Sequence, residues 1–381
     1  MRIGIVGCGQ LARMMALAGW DLGLSFSFLA EPDESTNCVD GLGKIVIRRT
    51  EDSALSIFRA LGEPDVVTIE REHVDADLLR QIKAYCPVYP DPDTLYACQD
   101  RLLEKQMLDS LGIPVAPYSA ANTTLQVADA VSQRGFPVVI KKRRQGYDGK
   151  GQWRVNDQAE LRDFCCSVRA DDWLVESVVN FEYEVSFIAA RAVSGEVVLY
   201  PPTENHHERG ILLSSLAPAE KLPPDLLHDG FEYLRLLLSE LDYVGVLAVE
   251  YFVTPTEILI NELAPRVHNS GHWTLSGCAT SQFENHLRAV AGMNLGATSS
   301  TGYQGMLNIL GRYDRSAARR TLSERSTLVD YNKSDKPGRK LAHINVLSDS
   351  RDELLREMNR LQESICPEGG GNFLGGRHSA A

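Results

Sequence analysis

The sequence has no long apolar run and no cysteine pattern that would tie the chain together. Its 381 residues include no stretch that approaches the apolar length of a membrane-spanning helix, which needs roughly 20 residues. The N-terminus enters a strand-like segment at 2–6 without the apolar region of a secretory signal. The eight cysteines contain no Cys-x-x-Cys pair, and Cys165 and Cys166 are adjacent, which suits neither a disulfide framework nor a zinc knuckle. We therefore expect a cytoplasmic protein with no membrane partner.

The sequence also lacks an excess of basic residues. It has 39 Lys and Arg against 51 Asp and Glu, a net charge of −12, so no nucleic-acid partner is expected. Basic residues do cluster at 141–144 and 333–340. Such clusters can hold the phosphates of a small ligand whatever the total charge of the protein. A solvated surface is the alternative interpretation of each cluster.

Strand-like and helix-like segments alternate over residues 1 to about 95. This alternation predicts a doubly wound parallel sheet. Asp91-Pro92-Asp93 is predicted to be the turn by which the chain leaves it. The predicted strands are 2–6, 25–29, 45–47 and 66–69, and the predicted helices are 11–22, 52–61 and 75–84.

A helix predicted at 100–111 stops at Gly112, and the strands after it are short and separated by turn residues. These strands predict one antiparallel sheet built from 138–141, 152–155, 173–176, 184–190 and 196–199. The C-terminal part combines strands at 306–310 and 342–346 with an amphipathic helix at 349–362. The tail from Gly369 is rich in Gly and Ser, and we expect it to fray.

A glycine motif, Gly7-Cys8-Gly9-Gln10-Leu11-Ala12, lies between the first strand and the first helix, and Glu31 follows nineteen residues after Ala12. This spacing is typical of a dinucleotide fingerprint, in which glycines admit a pyrophosphate and the acid meets a ribose. A tight turn in any doubly wound sheet gives the same pattern. A site for one phosphate or a small polar ligand is a third interpretation, and all three remain open.

A second glycine-rich segment, Gly146–Gln152, separates two short strands and contains three glycines. Three glycines are more than a hairpin needs, and they suit a mobile flap that lays backbone N–H groups over phosphates. Lys141 ends the entering strand, where its compact ammonium would reach a nucleotide phosphate. The alternative is a basic surface hairpin.

A pair of acids marks the most informative segment. If the residues around Thr256 form a hairpin turn, Glu250 and Glu262 lie directly opposite each other. Cross-strand partners have Cβ atoms about 4.5–5.5 Å apart, and like charges at that distance destabilise a sheet. A cation should therefore lie between them, and magnesium bridging to nucleotide phosphates is the usual form. Two solvated acids are the alternative, which their apolar neighbours disfavour.

Two histidines follow, His268 and His272, at a spacing known from zinc sites. A zinc ion needs three or four ligands, and no further ligand lies nearby in the sequence. We therefore do not expect zinc. Arg266 and His268 are better placed to meet the anion that accepts a phosphoryl group.

Together these motifs resemble the ATP-grasp superfamily, and within it the 5-(carboxyamino)imidazole ribonucleotide synthetase family. The resemblance is carried by Gly7–Met14, Gly146–Gln152, Asn261–Trp273 and Lys336–Lys340, which run in family order over nearly the whole chain. The Asn261–Trp273 segment is highly specific, whereas the N-terminal glycine motif alone is not. The resemblance implies an α/β and α+β fold and a homodimer. It implies a Rossmann-like domain at 1–97, an ATP-grasp domain at 98–296 with a flap subdomain at about 113–180, and a C-terminal domain at 297–381.

The resemblance also implies a role for each matching residue. The ATP-binding positions are Arg101, Lys141, Gly146, Tyr147, Asp148, Gly149, Lys150, Gly151, Gln152, Glu176, Ser177, Val178, Val179, Glu184, His207, Asn261 and Glu262. Magnesium would be held by Glu250 and Glu262. The catalytic positions are Asp148, Lys150, Arg266 and His268, and the substrate-binding positions are Gln10, Leu11, Tyr147, Lys333 and Arg339.

The reaction implied is phosphoryl transfer from ATP to bicarbonate, which gives carboxyphosphate. Carboxyphosphate then delivers carbon dioxide to the amine of 5-aminoimidazole ribonucleotide, a step of purine biosynthesis. Positioning anions and neutralising charge are the main tasks of such a site. Three alternatives stay open: an ATP-grasp enzyme with another acceptor, such as a formate-using glycinamide ribonucleotide transformylase; a nicotinamide dehydrogenase; and a catalytically inactive nucleotide-binding regulator.

Overall fold

The computed structural model describes residues 1–144, 146, 151–169 and 171–365. The strands within these ranges are β1 Arg2–Val6, β2 Ser25–Ala30, β3 Lys44–Ile47, β4 Val66–Ile69, β5 Val88–Tyr89, β6 Tyr118–Ala121, β7 Val138–Lys142, β8 Gln152–Val155, β9 Trp173–Ser177, β10 Tyr183–Arg191, β11 Val197–Leu199, β12 Thr203–Glu208, β13 Ile211–Ala217, β14 Gly245–Val253, β15 Ile258–Ala264, β16 Tyr303–Leu310, β17 Ser326–Asp330 and β18 Lys340–Ser348. The helices are α1 Gln10–Trp20, α2 Ala54–Ala60, α3 Ala76–Ile82, α4 Pro92–Cys98, α5 Arg101–Ser110, α6 Thr124–Arg134, α7 Gln158–Ser167, α8 Pro224–Glu240, α9 Thr274–Gly277, α10 Gln282–Val290, α11 Arg315–Thr321 and α12 Arg351–Ile365.

The N-terminal sheet is parallel, with strand order β3-β2-β1-β4-β5. This confirms the doubly wound sheet predicted from the alternation of strands and helices. The central strand β4 is buried at all four positions, as expected for a strand covered on both faces. The strand order reverses between β1 and β4, and ligands of such sheets bind at the carboxyl ends of the strands beside that point. Gly7 and Glu70 therefore lie where a site is expected.

The predicted single antiparallel sheet is wrong, because the structure has two. The first three predicted strands are β7, β8 and β9, which belong to a four-stranded sheet of order β6-β9-β7-β8. The next two are β10 and β11, which belong to a nine-stranded sheet whose main path is β15-β14-β10-β12-β13-β16-β18-β17. Residue alternation along a strand reports which face is buried and carries no information about which sheet the strand joins.

The C-terminal strands extend the nine-stranded sheet. β16 pairs with β13, with Ser214 opposite Leu307, so the sheet continues across the predicted boundary at residue 297. The predicted helix at 349–362 is α12, which buries Leu354, Met358 and Leu361. The domain boundaries stay a prediction, and the tail from Gly369 lies outside the described residues.

The predicted exit turn at Asp91-Pro92-Asp93 is wrong, because helix α4 begins there. The Asp91 side chain accepts a hydrogen bond from the Asp93 N–H at 2.9 Å and caps the helix. Pro92 occupies the first helical position, where a missing N–H costs nothing. Gln99 and Asp100 then form a short link to α5, and this link faces the cleft described below.

One apolar core joins the N-terminal sheet to the nine-stranded sheet. Phe28 of β2 belongs to the same buried cluster as Val246 of β14 and Leu287 of α10. This shared core holds together the two sheets whose ends line the cleft described below. No helix among the described residues is long and apolar enough to span a membrane.

Candidate active site

Two adjoining cavities form one cleft between the N-terminal sheet, the nine-stranded sheet and the segment 333–340. Their volumes are about 730 and 550 Å³, and they share Gln10, Glu70, Arg71, Lys333 and Arg339. The larger cavity brings together twelve of the predicted site residues: Gln10, Leu11, Arg101, Lys141, Gly146, Glu176, Asn261, Glu262, Arg266, His268, Lys333 and Arg339. The predicted residues Tyr147, Asp148, Gly149 and Lys150 lie outside the described part of the chain.

The N-terminal glycine motif binds a carboxylate of the protein itself. The Gly9 N–H donates to Glu70 Oε1 at 2.7 Å, and the Ala12 N–H donates to Oε2 at 3.1 Å. A Cβ atom on Gly9 would lie 2.6 Å from Glu70 Oε1, so glycine is required by that close approach. In a dinucleotide-binding protein the pyrophosphate would occupy this helix N-terminus. Since Glu70 occupies it here, the tight-turn interpretation accounts for the motif and the dehydrogenase interpretation loses its support.

The two predicted metal acids face each other across the β14–β15 hairpin. The strand register pairs Glu250 with Glu262, as predicted, but for a different reason. The next pair is Tyr251 with Ile260, so Asn261 is an extra residue in a β-bulge. A uniform register from the turn would place Glu250 opposite Asn261. The bulge changes the direction of the Glu262 side chain, as bulges near active sites do. Both Asn261 and Glu262 line the cleft.

Glu250 lies between two histidines in a row of ionisable groups. His207 Nδ1 is 2.9 Å from Glu184 Oε2, and His207 Nε2 is 4.0 Å from Glu250 Oε1. His268 Nε2 lies 3.7 Å from the same Glu250 oxygen. Burial opposes the charged form of His207, but the charge and hydrogen bond of Glu184, with Glu250, raise its pKa to about 9. Glu184, His207 and Glu250 are thus brought together, although they do not line the described cavity wall.

The charged form of Glu250 is disfavoured by its surroundings, and a bound cation would stabilise it. Glu250 is only 7% exposed. Burial raises its pKa above the ordinary value, His207 opposes this shift, and Glu262 and Glu184 add to it. Among the described residues, no group of three or more His, Cys, Asp or Glu could hold a metal ion alone. Magnesium, however, is usually bound by one or two carboxylates together with substrate phosphates. The Glu250–Glu262 pair fits that requirement.

The inner end of the cleft holds two lysines that share one carboxylate. Lys141 Nζ lies 2.8 Å from Glu176 Oε2, and Lys105 Nζ lies 3.3 Å from Glu176 Oε1. Burial opposes ionisation of Glu176, but the charges of Lys141 and Lys105 lower its pKa below the ordinary value. The three groups therefore carry one net positive charge in a nearly dry place. An anion such as a nucleotide phosphate suits that end of the cleft.

Arg101 holds the chain where it enters the glycine-rich segment. Its Nη1 donates to the Lys142 carbonyl at 2.9 Å, and its Nη2 donates to the Gly146 carbonyl at 3.2 Å. A Cβ atom on Gly146 would lie 2.6 Å from Arg101 Nη1. The contact of Arg101 with this segment was not foreseen from the sequence.

The remaining residues that were predicted to bind the nucleotide lie at the edges of the four-stranded sheet. The Ser177 N–H donates to the Pro117 carbonyl at 2.9 Å, and Val178 and Val179 are half-buried in the link to β10. The Gly151 carbonyl accepts from the Lys142 N–H at 2.8 Å, and Gln152 pairs with Lys141 in the β7–β8 ladder. These residues do not line the described cavity wall.

Arg266 and His268 lie between the acidic pair and the N-terminal sheet. Arg266 pairs with Glu72, and its Nη1 donates to the Val267 carbonyl at 3.0 Å. Burial, and then the charge of Arg266, lower the pKa of His268 well below its ordinary value, so its imidazole is neutral near pH 7. His272 is instead enclosed, with its ring centroid 4.8 Å from that of His343. Of the two histidines at this spacing, His268 lines the larger cavity and His272 does not.

The outer end of the cleft is basic. Lys333 Nζ donates to Gln10 Oε1, which joins the C-terminal segment to the first residue of α1. Burial lowers the pKa of Lys333. Arg339 lines both cavities, and its Nη1 donates to Ser334 Oγ at 3.2 Å. Gly338 has φ of +71°, a conformation that favours glycine, and it lies in the turn between Lys333 and Arg339.

Several cleft residues were missed by the sequence analysis: Glu70, Arg71, Glu72, Gln99, Glu104 and Lys105. Glu104 is 4% exposed, and burial with the charge of Glu262 raises its pKa to about 8. One signal was available, because Glu104 and Lys105 lie on the same face of α5 as the buried Leu108. Charged residues on the apolar face of a helix indicate a functional or paired group.

Comparison with known proteins agrees with this geometry. Residues 1–99 match the ribonucleotide synthetase preATP-grasp domain, residues 106–283 match the ATP-grasp domain, and residues 305–357 match the phosphoribosylaminoimidazole carboxylase C-terminal domain. The N5-carboxyaminoimidazole ribonucleotide synthase of Pseudomonas aeruginosa is 40% identical over 343 residues, which cover 90% of this chain and 93% of the relative. The chain belongs to the N5-carboxyaminoimidazole ribonucleotide synthase family. This is the family to which the sequence motifs pointed.

Other family members show that the likeness covers the whole fold. The Bacillus subtilis synthase is 36% identical over 360 residues, 93% of this chain and 94% of the relative. The crystal structure of the synthetase from Thermus thermophilus gives a TM-score of 0.88 at 38% identity over 96% of this chain and 98% of that one. The synthase from Aspergillus clavatus, solved with ADP and 5-aminoimidazole ribonucleotide, gives 0.86 at 28% identity over 95% and 98%.

Proposed function

We propose that this chain is a ligase that uses ATP to carboxylate 5-aminoimidazole ribonucleotide with bicarbonate, yielding 5-(carboxyamino)imidazole ribonucleotide, ADP and phosphate. The observation that carries the proposal is the continuous cleft. One basic end is formed around Lys105 and Lys141, the other around Lys333 and Arg339, and the larger cavity alone reaches from Lys141 to Arg339. Such a cleft can hold two phosphorylated ligands, with Glu262 and Arg266 between them. The ADP and 5-aminoimidazole ribonucleotide bound by the Aspergillus clavatus relative support this assignment.

Within this proposal, the inner end of the cleft binds the nucleotide. Lys141 and Arg101 offset phosphate charge, and the covering of the phosphates by Gly146–Gln152 remains a prediction from the sequence. The lysine–glutamate cluster is buried, so each charge acts more strongly there than it would in bulk solvent. Glu176 to Val179 meet the adenine, and Glu184 and His207 lie toward the ribose.

We propose magnesium at Glu250 and Glu262, with Asn261 beside them. When bound, magnesium neutralises charge on the transferred phosphoryl group. The chain's own contribution is to place the two acids opposite each other through the bulge. Arg266 supplies a planar fork that matches bicarbonate or carboxyphosphate.

The amine of 5-aminoimidazole ribonucleotide is proposed to lie between Arg266 and the basic outer end of the cleft. Lys333 and Arg339 are proposed to hold the ribonucleotide 5′-phosphate, with Gln10 and Leu11 beside it. His268 is neutral near pH 7 and so can accept a hydrogen bond from the amine and orient it. Asp148, Lys150 and Tyr147 remain sequence predictions for this step. A homodimer in the cytoplasm, with the domain boundaries given above, completes the proposal.

The proposal is tested by measuring ADP release with each candidate amine, with and without bicarbonate. We expect release that requires both 5-aminoimidazole ribonucleotide and bicarbonate. Equal release with glycinamide ribonucleotide and formate would assign the chain to a sister reaction. Heat-denatured enzyme and a bicarbonate-depleted buffer serve as controls.

A further inference from the structure

The acid that meets Arg266 comes from a distant part of the chain. Glu72 lies in the loop that follows β4, and its Oε2 accepts a hydrogen bond from Arg266 Nε, just after β15. The two side chains are 21% and 16% exposed, and both line the larger cavity. This ion pair therefore connects the N-terminal sheet directly to the arginine proposed to meet bicarbonate.

The pair decides which edge of the guanidinium is available. An arginine has five N–H donors in a fixed fork. The Nε–H is used by Glu72, and one N–H of Nη1 is used by the Val267 carbonyl. These are the hydrogen-bond partners of Arg266 within the described ranges. A bidentate anion needs two parallel N–H groups, so the side edge of Nε and Nη2 is closed and the end edge of Nη1 and Nη2 remains.

The loop that carries Glu72 is itself held in place. Gln99 Nε2 donates to the carbonyls of Glu72 and Val74, each at 2.7 Å. Gln99 lies in the short link between α4 and α5. Its two hydrogen bonds therefore tie the loop that carries Glu72 to this link. Burial opposes ionisation of Glu72, but the charge and hydrogen bond of Arg266 lower its pKa below the ordinary value. Glu72 is therefore a carboxylate near pH 7, and its low pKa makes it a poor proton acceptor.

We infer that Glu72 is a positioning residue, which locks the Arg266 guanidinium so that its Nη1–Nη2 edge faces the anion that accepts the phosphoryl group. This inference rests on the proposed function, because it takes that anion to be bicarbonate. Without Glu72, the long arginine side chain rotates among several conformers, and only some of them present two parallel N–H groups to the cleft. The loss then concerns bicarbonate and leaves the nucleotide end of the cleft unaffected.

The test compares Glu72→Ala and Glu72→Gln with the wild-type chain. We expect Glu72→Ala to raise the KM for bicarbonate about 10-fold or more, which is the effect on affinity of losing one charged hydrogen bond. The KM for ATP should change by less than about twofold, because the nucleotide end keeps its contacts. Glu72→Gln keeps an oxygen that accepts from Arg266 Nε, so it should restore most of the bicarbonate affinity.

A matched control is Glu284→Gln on α10. Glu284 pairs with Arg288 at 2.7 Å, and the two side chains are 27% and 28% exposed, but neither residue lines the cleft. This variant should leave all three Michaelis constants unchanged. If Glu72→Ala does not fold, as judged by its melting curve, Glu72→Asp replaces it, because the shorter side chain withdraws the carboxylate and should raise the same KM.

Three results would overturn the inference. The first is an equal rise in the KM values for ATP and bicarbonate, and the second is a fall in kcat with an unchanged KM for bicarbonate. The third is a Glu72→Gln variant as impaired as Glu72→Ala, with a shifted pH–rate profile, since that would assign proton transfer to Glu72. Failure of the proposed function is recognised separately, because the wild-type chain itself would then show no bicarbonate-dependent turnover.

Discussion

Replacing Glu262 by glutamine removes one of two carboxylates that face each other across the β14–β15 hairpin. Their Cβ atoms are about 5 Å apart in such a pair. Two unit charges at that distance repel by about 3 kcal/mol at an effective dielectric constant of about 20. Glu262 is exposed, and burial raises the pKa of Glu250 to about 7, so the repulsion that remains is on the order of 1 kcal/mol. The ligand-free variant should therefore melt about 1–2 °C higher than the wild-type chain.

The same substitution should have the opposite effect when ATP and magnesium are present. A ligand that binds only the folded state at about 100 times its Kd stabilises that state by about 2.7 kcal/mol. One neutral oxygen cannot replace the charge that holds magnesium, so Glu262→Gln should lose the magnesium-dependent part of this stabilisation and almost all turnover. The variant is thus predicted to be more stable without ligands and less responsive to them.

The assay is a set of melting curves with and without ATP and magnesium, together with ADP release. Glu257→Gln is the control, since Glu257 lies in the turn of the same hairpin and is exposed to solvent. It should match the wild-type chain in both measurements. A Glu262→Gln variant that melts lower without ligands, and that keeps both the magnesium-dependent shift and turnover, would refute the role of the acidic pair.

Two further predictions concern the outer cleft and pH. Changing Lys333 or Arg339 to Ala should raise the KM for 5-aminoimidazole ribonucleotide about 10- to 150-fold and scarcely change that for ATP; an equal rise in both constants would place this segment at the nucleotide. His286 accepts from the Val246 N–H at 3.0 Å and contacts Thr68 at 2.8 Å, and burial lowers its pKa from 6.5 to about 4. Its neutral form is the stabilised one, so this contribution, up to about 3 kcal/mol, is complete above about pH 6.5 and is lost as the pH falls towards 4. Urea unfolding of the wild-type chain and His286→Gln at about pH 7.5 and pH 5 should show a smaller loss in the variant, and identical losses would contradict the assignment.

The sequence predicted the parallel sheet and the acidic pair because both depend on local patterns. Alternation of strands and helices is visible along the chain, and β1 to β4 were located within a residue or two. The predicted pairing of Glu250 with Glu262 was correct, yet it depends on a bulge at Asn261 that was not predicted from the sequence. Register follows from packing as well as from turn length, so a one-residue shift cannot be read from the hairpin alone.

The N-terminal acids could not be predicted, because their partners are distant in the sequence. Glu70 binds the turn at Gly9 and Ala12, and Glu72 binds Arg266, but each contact forms only when separate parts of the chain pack together. The glycine motif therefore had three interpretations from sequence, and the position of Glu70 removes the support for the dinucleotide one. The division of the antiparallel strands into two sheets could not be predicted for the same reason. The residue pattern of a strand does not determine which strands it pairs with.

Phosphoryl transfer from ATP to bicarbonate is tested most directly by following oxygen atoms. The enzyme is incubated with ATP, magnesium, 5-aminoimidazole ribonucleotide and 18O-labelled bicarbonate, and the released phosphate is analysed by mass spectrometry. If carboxyphosphate forms in the cleft, one bicarbonate oxygen stays on phosphorus, and the phosphate carries one 18O atom for each ADP released. Unlabelled phosphate at full ADP release would contradict carboxyphosphate formation, because water would then be the phosphoryl acceptor.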